Sequence, residues 1–267
     1  MKVLSFGCGV QSVTIAAMCC LGEFEMPDFA VFADPQWESQ KTYDYLKWFT
    51  PWAKEHGLEI ITATKGNIRE DALNSSKQFA SMPLWTRSRT IYGRDSNGKK
   101  GKLRRQCTNE YKIQVVRKVI RERAGIEKGK RWKGDPCEIW IGISEDEIQR
   151  QKPSRDKFAV HRWPLLEKEM RRSDCINWLH KHDLPIPPKS ACIGCPFHDN
   201  KSWREMKSDR TVEWLDAIDF DRRIRETRVA IKNPVFLHKD AVELEKACLG
   251  IDQIDHFGNE CTGFCGN

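Results

Sequence analysis

Cys192 and Cys195 stand three residues apart in KSACIGCPFH, close to Pro196 and His198. Thiols at that spacing suit a redox couple, half of a zinc site, or part of an iron–sulfur centre. Cys107 lies 85 residues before Cys192, and Cys261 and Cys265 stand in ECTGFCGN. A redox pair of the thioredoxin type belongs at a strand-to-helix junction early in a small fold. This pair instead follows a stiff approach built by Pro185, Pro187 and Pro188. Zinc takes four cysteines, or three with a histidine such as His198, so the pair alone leaves metal and cluster both open. Five more of the 11 cysteines read as small hydrophobes: Cys19, Cys20, Cys175 and Cys248 on apolar helical patterns, and Cys137 opening a strand.

A second chemical feature is SFGCGVQS, Ser5 to Ser12, where a first apolar run passes into a helical one. Small residues let the backbone approach a ligand, and free N–H groups at a helix start favour phosphate. The stretch fits neither GxxxxGK[ST] nor GxGxxG. Asp34 closes a second apolar run in FADPQWE, with Glu38 close behind, and Ser144 to Glu147 follow a further run in GISEDEIQR. Ligands of parallel α/β sheets bind at the carboxyl ends of the strands. Polar groups at three such ends point to a nucleotide site, with carboxylates able to hold Mg²⁺ or to cap helices.

The elements that must position these groups alternate. KVLSFG, DFAVFAD, LEIITAT and CEIWIGIS read as strands; helical spacing covers about Gln11–Leu21, Glu38–His56 and Asn109–Arg123. That alternation predicts an α/β fold with a mostly parallel, Rossmann-like sheet flanked by helices. From Arg171 the pattern turns helical, which predicts a nucleotide-binding region over 1–165 and a helical cap over 166–267 packed on it as one unit.

A hydrophobic content of 39% against 31% charged residues describes a soluble globular chain, and no apolar run reaches membrane-spanning length. No signal-peptide pattern opens the sequence, so a cytoplasmic location is expected, where thiols stay reduced. The net charge of +7 is uneven: Arg87 to Lys133 holds 17 Lys/Arg against 4 Asp/Glu. That concentration favours an anionic partner, nucleotide or nucleic acid. Only Tyr92, Tyr111 and Trp132 bring aromatic rings to the segment.

SFGCGVQS, FADPQWESQKTYDYL, RRQCTNEYKI, GISEDEIQR and SACIGCPFHDNKSW occur in an order that resembles the phosphoadenosine phosphosulfate reductase-like branch of the PP-loop (adenine nucleotide alpha-hydrolase) superfamily. The likeness runs from about Lys2 to Lys207, with ECTGFCGN also similar. The turn departs from the branch's S-x-G-x-D-S form by two extra residues and the lack of an aspartate, as in a divergent phage-like or bacterial subgroup. The resemblance implies ATP or a related adenylyl nucleotide, with Mg²⁺, held by Ser5, Gly7, Gly9, Gln11, Ser12, Asp34, Gly142, Glu147 and Arg150. It gives catalytic roles to Asp34, Arg105 and Cys261. Iron–sulfur members of the branch carry an upstream cysteine pair and a downstream CxxC; here Gln106 replaces one upstream cysteine. The implied [4Fe–4S] cluster, favoured over zinc, would use Cys107, Cys192 and Cys195, with Cys265, Cys261 or an outside ligand as the fourth.

Three functions follow as expectations. The first is an ATP-dependent sulfurtransferase that adenylates an acceptor and releases AMP and pyrophosphate, similar to the tRNA 2-thiocytidine synthases. The second is an adenylyl sulfate reductase working through a tail cysteine, and the third a metal-stabilised nucleic-acid-binding protein. The expected partners are ATP or an adenylyl nucleotide, tRNA or DNA along residues 87–133, and a sulfur donor or thioredoxin-like reductant. A homodimer is the admissible assembly, and no membrane is involved.

Overall fold

Alternating apolar runs and amphipathic stretches become a layered α/β fold in the computed structural model, which describes residues 1–74, 76, 81–87, 99–127, 129–227 and 233–250. The chain opens with β1 (Lys2–Ser5), α1 (Val10–Cys20), β2 (Phe29–Asp34), α2 (Gln40–Glu55), β3 (Ile60–Thr64) and α3 (Ile68–Leu73). Two short strands follow, β4 (Trp85–Arg87) and β5 (Lys100–Lys102), then a π-helical turn over Thr108–Ile113 that runs directly into α4 (Gln114–Arg123). Next come β6 (Cys137–Ile141), a 3₁₀ segment over Glu145–Arg150, β7 (Ala159–Arg162) and the single turn α5 (Pro164–Glu167). Helices α6 (Arg172–Lys181), α7 (Asn200–Asp209) and α8 (Thr211–Thr227) lead to β8 (Val235–Phe236) and a last 3₁₀ turn over Leu244–Lys246.

Five strands form one all-parallel sheet in the order β3-β2-β1-β6-β7. Its register pairs Ser5 with Val31 on one side and with Ile141 on the other, so β1 is central. Successive side chains of a strand face opposite ways, and here both faces are covered. Leu4, Ala30, Phe32 and Trp140 pack with α1, α2 and α6, while Val3, Val31, Ile139 and Ile141 pack under Val115, Val116 and Val119 of α4. This is why these strands read as continuous apolar runs. The order reverses between β1 and β6, and that reversal opens a crevice at the carboxyl ends of the two strands.

The sequence reading found four of the five sheet strands and missed β7. It also missed the small antiparallel sheet β5-β4-β8, which lies beside α8. A third apolar cluster joins α3, Met82, Leu84, Tyr111, α7 and α8 around Trp37. Cys19, Cys137 and Cys175 are buried and Cys20 partly so, as hydrophobes should be, and Cys137 does open β6. Cys248 is the correction: it is exposed and outside any helix, because the chain there is a surface coil after the final 3₁₀ turn. Among the described residues no helix is long and apolar enough to cross a membrane.

Candidate functional site

The three expected thiols within the described residues come together. Cys107, Cys192 and Cys195 line one small pocket of about 30 Å³, walled by Pro35, Met82, Tyr111 and Phe197. Cys261 and Cys265 lie outside the described residues. Cys107 immediately precedes the π-turn, and its backbone N–H donates to the Ser81 carbonyl at 2.8 Å. A π-turn inside a helix is rare and concentrates at functional sites. Here it sets Lys112 inward, with only 7% of its surface exposed.

The CxxC loop is clamped from several sides. Cys192 pairs as a β-bridge with Glu38, and the Ile193 N–H donates to the Trp37 carbonyl at 2.8 Å. The Trp37 indole presses on Gly194: a Cβ there would stand 2.1 Å from the ring. Trp37 is itself fixed, its Nε1–H donating to Asp216 Oδ2 at 2.6 Å, while Arg69 pairs with Asp216 at 2.9 Å and Asp219 at 2.6 Å. On the other flank the Trp85 Nε1–H donates to the Pro196 carbonyl at 3.0 Å. His198 Nε2 donates to the Cys192 carbonyl at 3.0 Å, and burial lowers its pKa to about 4, so the ring is neutral and braces the loop.

Electrostatics tie this pocket to its neighbours. Lys112 Nζ lies 3.3 Å from Glu38 Oε1, and Cys192 Sγ lies 4.0 Å from the same oxygen. Burial, and then the Glu38 carboxylate, push the Cys192 thiol well above its ordinary value, while Lys112 pulls it down. Three soft sulfur donors in a shielded pocket suit a thiolate-bound iron–sulfur centre or zinc. Among the described residues, no three Cys, His or carboxylate side chains stand close enough together to hold a metal ion as they are. The donor chemistry fits the group.

The glycine-rich turn occupies the crevice end of β1. Gly7 N–H donates to Ser12 Oγ at 3.2 Å, and that hydroxyl donates to the Gly9 carbonyl at 3.2 Å. Cys8 sits between the glycines at φ 57°, a left-handed conformation uncommon for a residue with a side chain. Gly9, the N-cap of α1, offers no side-chain acceptor to the N–H groups of the first turn. Ser5 and Gly7 border a crevice of about 10 Å³ with Ala33 and Lys112. Gln11 turns from the turn toward the loop after β6: its Nε2 donates to Glu147 Oε2 at 3.2 Å and to Ser144 Oγ at 3.4 Å, and its buried Oε1 has no partner among the described residues. Gly142 lets that loop press on α1, since a Cβ there would lie 3.0 Å from the Ser12 nitrogen. Asp34 organises its own bend, accepting at Oδ1 from the Gln36 N–H at 2.7 Å and from the Tyr43 hydroxyl at 2.8 Å.

Arg105 and Arg150 stand elsewhere, in an open cleft of about 690 Å³ between α4 and the ends of β6 and β7. Seven cations line it against two carboxylates. Arg150 also pairs with Glu147, and Arg105 stacks over Phe197 at 5.2 Å. The expected site residues thus divide among a thiol pocket, a glycine turn and a basic cleft that share walls. Arg105 lines both cleft and thiol pocket, and Lys112 lines both thiol pocket and glycine-turn crevice. Sequence reasoning did not single out Lys112, Trp37 or Trp85, nor Lys65, Lys152 and Arg155 of the cleft. Trp37 stood inside a quoted motif, but only the structure shows what its ring covers.

No family model and no curated protein sequence matches the chain. Among solved structures it is similar to the phosphoadenylyl-sulfate reductase of Candida auris in a phosphate complex, at a TM-score of 0.41 and 13% identity, over 70% of this chain and 73% of that one. That likeness is distant, and the fold assignment stands on the strand order.

Proposed function

We propose that the chain is a PP-loop-type enzyme that uses ATP and Mg²⁺ to adenylate an acceptor oxygen and then places sulfur on the activated carbon. The observation that carries this reading is the shared walls at Arg105 and Lys112, which set a thiol pocket, a glycine turn and a basic cleft side by side. The ordered motifs quoted above support the nucleotide half of it. In the first step an acceptor oxygen attacks the α-phosphorus of ATP, the bond to the β-phosphate bridge breaks, and pyrophosphate leaves. In the second, sulfide supplied by an external donor attacks the activated carbon, and the carbon–oxygen bond breaks to release AMP. Arg105 and Arg150 offset the growing phosphate charge. Asp34 Oδ2 makes no hydrogen bond among the described residues and is the carboxylate available to Mg²⁺. Cys107, Cys192 and Cys195 would hold a [4Fe–4S] cluster, which when bound supplies an iron site for sulfide.

The test is anaerobic purification, analysis for iron, sulfide and zinc, and incubation with ATP and Mg²⁺. Stoichiometric iron and sulfide, lost in Cys192→Ser, with AMP and pyrophosphate as products, is the expected result. Thioredoxin-dependent reduction of an adenylyl sulfate without ATP turnover would overturn it in favour of a reductase.

A further inference from the structure

Most carboxylates after β2 and β6 are already matched. Glu38 pairs with Lys112 at 3.3 Å, Glu145 with Arg171 at 3.3 Å and Glu147 with Arg150, while Asp146 accepts the first N–H of α6, that of Arg172, at 3.0 Å. Asp34 differs: it has no ion-pair partner among the described residues and is held by neutral donors alone. Both donors act on one oxygen. The Gln36 N–H reaches Oδ1 at 2.7 Å from the bend after β2, and the Tyr43 hydroxyl reaches it at 2.8 Å from the first turn of α2. Two neutral donors on Oδ1 orient the carboxylate without cancelling its charge, and Oδ2 is left as the oxygen for a hard cation.

The Tyr43 hydroxyl has one proton, and its direction is fixed. The Glu38 N–H lies 3.2 Å from the same oxygen; an N–H can only donate, so the hydroxyl accepts there and its own proton goes to Asp34. Burial pushes the hydroxyl above its ordinary value against the pull of the Glu38 N–H, and the Asp34 carboxylate adds to the rise, so the proton stays on at neutral pH. The ring itself is firmly placed. Ser39 Oγ caps α2 by accepting the Thr42 N–H at 3.3 Å, and the Tyr43 N–H donates to the Ser39 carbonyl at 3.2 Å. The Gln40 N–H donates to Glu213 of α8 at 2.7 Å, and Arg210 holds that carboxylate at 3.1 Å. A carboxylate that meets a metal is set by the hydrogen bonds it accepts, and losing such a partner typically costs about 10- to 100-fold in metal affinity.

We infer that Tyr43 is a positioning residue for the metal–nucleotide site: its hydroxyl, donating to Asp34 Oδ1 while accepting the Glu38 N–H, fixes the Asp34 carboxylate so that Oδ2 serves the divalent cation. The hydrogen bonds stand by themselves; the cation rests on the function proposed above.

Mn²⁺ in place of Mg²⁺ tests it, with the free ion followed by electron paramagnetic resonance. Titration into protein with α,β-methylene-ATP, whose α–β bridge cannot be cleaved, reads cation binding without turnover. Wild-type protein should take up Mn²⁺ beyond what the analogue alone binds. Tyr43→Phe, which keeps the ring and removes only the hydroxyl, should raise the dissociation constant about tenfold. Tyr45→Phe removes a hydroxyl from the same helix, one that donates to the Pro185 carbonyl at 2.8 Å, and should bind as wild type. Asp34→Asn should lose more than Tyr43→Phe, and adding Tyr43→Phe to it should cost little further, because groups that act through one another are not additive. An unchanged Tyr43→Phe, an equal loss in Tyr45→Phe, or full additivity with Asp34→Asn overturns the inference; the proposed activity still stands in that event if wild type releases AMP and pyrophosphate from ATP. Wild-type protein that neither takes up Mn²⁺ with the analogue nor turns over ATP overturns that activity, and this inference with it.

Discussion

A glycine is required at position 194 because the Trp37 indole occupies the space where a side chain would begin. The ring cannot yield easily, since Asp216 holds its nitrogen and Phe220 packs at 4.8 Å from it. Gly194→Ala should therefore cost about 1–3 kcal/mol, the usual range for overpacking, and displace the CxxC loop. Urea denaturation measures the loss, and Trp37→Leu in the same chain should recover part of it; full stability in the single variant would show that the ring moves freely. A second residue-level prediction concerns thiols. Cys8, Cys19 and Cys175 are pushed up to about 12 by burial, so at pH 8 they hold almost no thiolate. Cys248 is exposed. Alkylation of native protein at pH 8, followed by mass spectrometry, should label Cys248 and spare those three; only above pH 12, or on unfolding, should they react. The sequence could nominate Cys192 and Cys195 because spacing alone carries metal chemistry. Spacing alone could not put Cys107 beside them; the family resemblance named it, and its place depends on how an 85-residue excursion returns.

At the scale of elements, the π-turn over Thr108–Ile113 decides where Lys112 points. The helical spacing of Asn109–Arg123 was legible, but a one-residue change of helical pitch leaves no mark on hydrophobic periodicity. The consequence is a lysine paired inside the protein with Glu38, at side-chain exposures of 9% and 0%. Breaking such a pair from one side leaves a charge in the interior and typically costs about 3–5 kcal/mol. Lys112→Met should lose stability on that scale in urea denaturation, whereas Lys112→Met/Glu38→Leu should recover most of it. A single variant as stable as wild type would mean that water reaches Glu38. Missed strands have a similar cause. β7 is four residues long and ends in His161 and Arg162, so neither alternation nor an apolar run announces it. β4, β5 and β8 span two or three residues each and pair across large separations, so their existence is a tertiary fact.

Across the whole molecule, two of the three apolar clusters among the described residues are built from both ends of the chain. Cys175, Leu179 and Leu184 share a cluster with α1 and Trp140, so α6 completes the packing on one face of the sheet. Helix α8 packs with α3, Met82 and Leu84, and Asp221 on α8 accepts the backbone N–H groups of Leu237 at 2.8 Å and Leu244 at 3.0 Å. Removing everything after residue 165 would strip α1 of its cover and leave the Trp37 indole without Asp216. Helices α6, α7 and α8 thus share apolar clusters with the first half of the chain. Parts that share buried surface on this scale unfold together. Urea unfolding followed by tryptophan fluorescence and by far-ultraviolet circular dichroism should give one coincident transition, and a chain ending at residue 165 should lack a cooperative one. Two separated transitions, or a stable fragment, would show that the regions fold on their own, and Cys192 and Cys195 would then meet Cys107 only by docking.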